Sequence, residues 1–226
     1  MAAANEAERA RQLSAEGQRL LGAGDHDQAV EAFAGAARAF AEAGDLRSQA
    51  SHQRMVADIY LVLKRPEDAL RSYEQALDLL VKLEDGEKQA RVLANMGLIE
   101  AQTGRGQSAV SRFRRSLELF ESEGRTLHVA QQWGNMGSAY RDMKDYDQAM
   151  ESYGRALPLY EGLDHAAGVA DQLTNMAYIH TMRHQLPEAL ALYRKAVPLY
   201  SQSGDTRKAE LTRQNIAALE SSLEKG

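Results

Sequence analysis

A chain of 226 residues with 27 basic and 32 acidic side chains carries a net charge of −5 and no electrostatic footprint for nucleic acid, its basic residues being scattered rather than gathered into a stripe. The absence of cysteine excludes disulfides, thiolate metal sites and a cysteine nucleophile. The first residues, MAAANEAERARQL, lack the apolar stretch of a secretory signal, and no apolar run approaches the roughly 20 residues that span a bilayer, so a cytoplasmic protein without a membrane partner is expected.

Taken in chain order, the predicted elements repeat. Asn95, Asn135, Asn175 and Asn215 stand forty residues apart and open the phrases NMG, NMG, NMA and NIA. Ala29, Ala69, Ala109, Ala149 and Ala189 hold the same phase, as do Phe33, Tyr73, Phe113, Tyr153 and Tyr193. Within one period, Trp133, Met136, Gly137 and Tyr140 mark the apolar face of a first helix, A. Ala149, Met150, Tyr153, Ala156, Leu157 and Tyr160 mark a second, B. The A helices are expected at roughly 4–22, 46–63, 87–103, 126–143, 166–183 and 206–224, with B helices between them.

Gly24 and Gly104 mark turns from A to B, and Gly44, Gly124 and Gly204 close B helices, positions where a positive φ is often needed. Asp25 and Asp145 are expected to cap the helices that follow them. Such short turns make the two helices antiparallel neighbours. The small residues Gly17, Ala57, Gly97, Gly137, Ala177 and Ala217 let the backbones of A and B approach, while the ring series from Phe33 plugs the joints. Pro158 and Pro198, one period apart, are expected to kink or shorten their B helices.

The spacing of Gly137, Tyr140, Ala149, Tyr153 and Ala156 resembles the tetratricopeptide repeat. Units of forty residues are similar to the longer-helix branch found in Leu-Gly-Asn-type adaptors, bacterial peptide-pheromone receptors and sensor arms of signalling ATPases. The resemblance implies an all-α, right-handed superhelical solenoid of antiparallel helix pairs over residues 1–226. Its five units fall at about 4–45, 46–85, 86–125, 126–165 and 166–205, with a capping helix at about 206–224. It also implies a protein or peptide partner along the concave groove.

Helical phase sets Asn135 at about 200° from Trp133, away from the A/B joint. Gln131, Ser138 and Asp142 share its stripe, as do Arg91, Leu98 and Gln102 around Asn95, and Asp171, Tyr178 and Met182 around Asn175. An Asn amide both donates and accepts, so a row of four could clamp about nine to ten residues of an extended peptide backbone. The bland reading is that each Asn bonds to the neighbouring A helix and stiffens the stack. Flanking selectivity would come from Arg54, Met55 and Asp58 at one end, Leu98, Gly134, Ser138 and Arg141 centrally, and Tyr178 and Met182 at the other.

The carboxylate clamp of chaperone adaptors is disfavoured, since Ser14 with Gln18, Arg54 with Asp58, Ala94 with Leu98, Gly134 with Ser138 and Thr174 with Tyr178 all lack its Lys and Asn. Gly104, Gly106 and Ala109 follow a helix rather than a strand and do not make a dinucleotide loop. His180 and His184 have metal-pair spacing without the accompanying Glu, and no cofactor is expected. No nucleophile, base and oxyanion donor come together, so an enzyme is not indicated. The leading reading is a noncatalytic interaction module. A ligand-gated regulator and a scaffold that oligomerises through its solenoid ends are the alternatives.

Overall fold

The computed structural model describes residues 2–224 of the chain, so residue 1 and residues 225–226 of the expected domain lie outside the described residues. Among the described residues the fold is all-α. The helices are α1 (Ala2–Ala23), α2 (His26–Glu42), α3 (Leu46–Val62), α4 (Pro66–Lys82), α5 (Gly86–Gln102), α6 (Gly106–Ser122), α7 (Thr126–Asp142), α8 (Tyr146–Gly162), α9 (Ala166–Met182), α10 (Leu186–Gln202) and α11 (Thr206–Leu223). Odd numbers are the A helices and even numbers the B helices.

The turns set the helix lengths. After α2 the Asp45 N–H donates to the Phe40 carbonyl at 2.9 Å and the Gly44 N–H to Ala41 at 3.0 Å, the paired bonds of a Schellman stop. After α7 the same pair runs from Asp145 to Tyr140 and from Lys144 to Arg141, each at 2.9 Å. The residue between must take a positive φ. The expected glycines do so, but at the equivalent positions so do Lys64, Glu84, Lys144, Asp164 and His184. The left-handed conformation costs a non-glycine residue about 1–2 kcal/mol, so tertiary packing holds these turns against local preference.

The side chain of Asp145 accepts the Gln148 N–H at 3.3 Å, as expected of a cap, and Asp45, Asp85 and Asp205 cap in the same way. Asp25 departs from the expectation: its side chain makes no cap bond, and Asp27 supplies the first-turn carboxylate of α2 instead. Pro158 and Pro198 do not shorten their helices, since α8 and α10 run the same 17 residues as α2. Both prolines and the residues four before them, Gly154 and Arg194, are exposed, so a carbonyl released from the helix ladder there meets water.

The chain forms two compact units, Met1–Arg105 and Gly106–Gly226. Their border falls between α5 and α6, inside the repeat expected at 86–125. In the first unit α1 pairs with α2 and α3 with α4, and α5 packs on α4. Phe33 and Tyr73 are completely buried. A Cβ on Gly17 would lie 2.8 Å from the Phe33 ring, which is why that position is small. In the second unit α7 pairs with α8 and α9 with α10, while α6 packs on α7 and α11 on α10. There a Cβ on Gly137 would come within 2.6 Å of the buried Tyr153 ring. Ala217, the last of the small series, is exposed.

Candidate functional site

In the second unit the three A helices α7, α9 and α11 line one open cleft of about 480 Å³. From α7 come Gln131, Gly134, Asn135 and Ser138. From α9 come Asp171, Gln172, Thr174 and Asn175, and from α11 Lys208, Leu211, Thr212 and Asn215. Each set recurs at three- and four-residue spacing, one helical stripe per helix. Tyr160 of α8 and Tyr200 of α10 complete the lining. The cleft therefore brings together Asn135, Asn175, Asn215, Gln131, Gly134, Ser138 and Asp171 of the residues expected from sequence.

The three amides differ in what they touch. Asn175 accepts from Arg141 at 3.0 Å, a bond to the preceding A helix of the kind the bland reading describes. Arg141 also bonds Asp142 at 2.8 Å and lies over the exposed Tyr178 ring. Among the described residues, the side chains of Asn135 and Asn215 have no hydrogen-bond partner; Asn135 is half-buried and Asn215 exposed. Ser138 takes the hydroxyl of Tyr153 at 3.2 Å. Burial pushes the Tyr153 phenol above its usual range. Arg141, Asp142, Tyr178 and Met182, expected as groove residues, do not line the cleft. Tyr178 and Met182 stand exposed beside it on α9.

Around the expected Asp171 the cleft adds residues absent from the sequence expectation, centred on Tyr200. Its hydroxyl donates to Asp171 at 2.8 Å and accepts from the Thr174 hydroxyl at 3.2 Å, and the Lys208 ammonium lies 2.8 Å from the same Asp171 oxygen. Burial and the neighbouring Asp171 push the Tyr160 phenol up to about 12. The tyrosines were readable only as packing rings, because their hydroxyls carry no periodic signal.

The first unit holds a different arrangement. Tyr73, buried on α4, donates its hydroxyl to Asp58 of α3 and accepts the Asn95 amide of α5 at 3.2 Å. Asp58 is also held by Arg54 at 2.6 Å. Burial, and then the bond to Asp58, raise the Tyr73 phenol well above its usual range. Arg54, Asp58 and Asn95 thus come together as one internally satisfied network. Met55, half-buried, packs against the apolar cluster around Leu20 and Phe33. Arg91 pairs with Glu87 at 2.9 Å on the surface, and Leu98 is exposed.

Among the described residues no group of three or more His, Cys, Asp or Glu side chains could hold a metal. His180 instead bonds Gln185 at 2.8 Å, and His184 occupies a turn. No described helix is long and apolar enough to cross a membrane.

Comparison with solved structures gives the same fold at low identity. RapI in its apo form superposes with a TM-score of 0.76 at 19% identity, covering 83% of this chain and 52% of that one. The chain thus spans about half the length of RapI. BtubC (BKLC) from P. vanneervenii gives a TM-score of 0.64 at 20% identity, covering 90% and 93% of the two chains. Aspartyl phosphate phosphatase F from Bacillus subtilis gives 0.64 at 12% identity, covering 95% of this chain and 60% of that one. At these identities the likeness shows the fold alone, and the phosphatase name stays with that protein. Among curated protein sequences none matches. The profile of the tetratricopeptide repeat matches residues 48–122 and 128–202, so the chain belongs to the tetratricopeptide repeat family.

Proposed function

We propose that the protein is a noncatalytic interaction module that holds an extended peptide, or an extended segment of a partner protein, in the cleft of α7, α9 and α11. One observation carries the reading: Asn135 and Asn215 line that cleft with amides that no other side chain among the described residues engages. An amide offers two donors and an acceptor, which matches the alternating N–H and C=O of an extended backbone without demanding particular side chains. Neighbouring helices lie about 8–10 Å apart and an extended chain advances about 3.3 Å per residue, so three A helices suit roughly six ligand residues. Membership of a repeat family whose fold suggests protein partners supports the same reading.

The test is selection of peptides from a displayed library of random peptides about a dozen residues long, several more than the cleft accommodates. Peptides enriched on the wild type should bind the Asn135→Ala/Asn215→Ala double variant about tenfold more weakly, with helicity kept and the melting temperature equal or slightly higher. Equal retention by the double variant would remove the cleft from the reading.

A further inference from the structure

We infer that Asp171 forms a subsite for a cationic side chain, lysine or arginine, of the peptide lying in the cleft; this rests on the cleft being a peptide site. The geometry begins with an asymmetry at the carboxylate. Tyr200 and Lys208 both meet Oδ1, each at 2.8 Å, and Oδ2 receives neither. The Asp171 side chain is 38% exposed, so a ligand can reach the remaining oxygen.

The charge balance fixes the sign of the ligand. The Lys208 ammonium is shared between Asp171 and Asp205, the latter at 3.7 Å, so the cluster holds two carboxylates for one ammonium and is net negative. The nearby Arg141 is turned onto Asp142 and Asn175. A carboxylate ligand would have to take Lys208 from both of its partners, whereas a cation adds to an acceptor that is already in place. The buried rings of Tyr160 and Tyr200 line the same wall, and the Lys208 ammonium lies over the Tyr200 ring, 5.6 Å from its centroid. The net charge of −5 favours approach of a basic segment over an acidic one.

Positional analysis of the random-peptide selection tests the subsite, using the wild type, Asp171→Asn and Lys208→Gln. Asn keeps an acceptor for the Tyr200 hydroxyl while removing the charge, so the cleft stays intact. Peptides retained by the wild type should show lysine and arginine enriched about two- to fivefold at one position, the worth of a partly exposed ion pair. The enrichment should vanish with Asp171→Asn and grow with Lys208→Gln. Selected peptides without basic enrichment, or with enrichment that survives Asp171→Asn or falls with Lys208→Gln, overturn the subsite and leave the cleft reading standing. Failure of the wild type to retain any peptide better than the Asn135→Ala/Asn215→Ala variant removes both.

Discussion

Asn95 and Asn135 hold the same position in successive repeats, yet the first unit closes its amide into a network and the second leaves its amide open. The difference lies in the ring that precedes each by twenty-two residues. Tyr73 carries a hydroxyl that accepts Asn95 and donates to Asp58, whereas Phe113, at the matching position before Asn135, has none. One repeat position can thus stiffen the fold or remain available; between these two repeats the Tyr73 hydroxyl makes the difference, although a hydroxyl at the ring position does not suffice, since Tyr193 stands twenty-two residues before the open Asn215.

The largest expected effect tests what the two units have in common. Tyr73 and Tyr153 are both completely buried, each a ring at the same repeat position. Tyr73→Ala and Tyr153→Ala should therefore each cost about 3–5 kcal/mol in chemical denaturation, with similar losses in the two units. A large inequality would mean that the units do not share one packing rule.

Removing only the hydroxyl should separate them. Tyr73→Phe loses a charge-assisted bond and leaves Asn95 without its acceptor, about 1.5–2 kcal/mol; Tyr153→Phe loses a single bond to Ser138, about 0.5–1 kcal/mol. The pH dependence follows the same division. A phenol whose folded pKa is raised above its unfolded value of about 10 contributes stability that is complete below that value and is lost as pH climbs toward the folded one. The melting temperature of the wild type should fall above about pH 10, and less steeply in Tyr73→Phe. Parallel curves for the two proteins would show that the phenol is not the linked group.

A third contrast concerns the polar contact between successive A helices. In the first unit the Nδ1 of His52 lies 2.7 Å from the Ser48 carbonyl and so carries the proton, leaving Nε2 to accept the Ser14 hydroxyl at 2.9 Å. In the second unit Gln172 takes the matching place, its amide nitrogen donating to the Gly168 carbonyl at 3.3 Å. Its Oε1 is buried without a partner, because the residue opposite is Gly134. A Cβ built on Gly134 lies 3.3 Å from that oxygen, so the Gln172 amide must give by a few tenths of an ångström and then lies within reach of a serine hydroxyl. Gly134→Ser should stabilise the protein by about 1.5 kcal/mol, against about 1 kcal/mol for Gly134→Ala, which supplies helix propensity alone. Equal gains from the two would show that the Gln172 oxygen is satisfied in another way.

These contrasts mark what the amino-acid pattern could and could not convey. The helix map was legible because Gly17 and Gly137 are obligatory beside Phe33 and Tyr153, and size alternation is periodic. The turns at Lys64 and Lys144 were read from their neighbours, since the residues themselves disfavour the φ they adopt. The stripe containing Gln131, Asn135 and Ser138 was legible from helical phase, and it lines the cleft. The fate of each amide was not. It depends on Tyr73 and Arg141, which lie twenty-two and thirty-four residues before Asn95 and Asn175, and no pattern within a single helix reports contacts at that separation. Asp171 was visible in the stripe, but its pairing with Tyr200 and Lys208 joins three helices.

The smallest expected effects bear most directly on the contrast between the amides. Asn95→Ala removes a 3.2 Å bond from a network that keeps its charged members, so stability should fall by about 0.5–1 kcal/mol. Asn135→Ala removes no such bond and exchanges Asn for a better helix former, so stability should rise by a few tenths of a kcal/mol. Binding of selected peptides should respond the other way: unchanged in Asn95→Ala, and about threefold weaker in Asn135→Ala. Thermal melts and fluorescence titrations of the two variants give four numbers with opposite signs of effect. If Asn135→Ala costs stability as Asn95→Ala does, the second amide also belongs to the framework, and the difference attributed to the Tyr73 hydroxyl disappears.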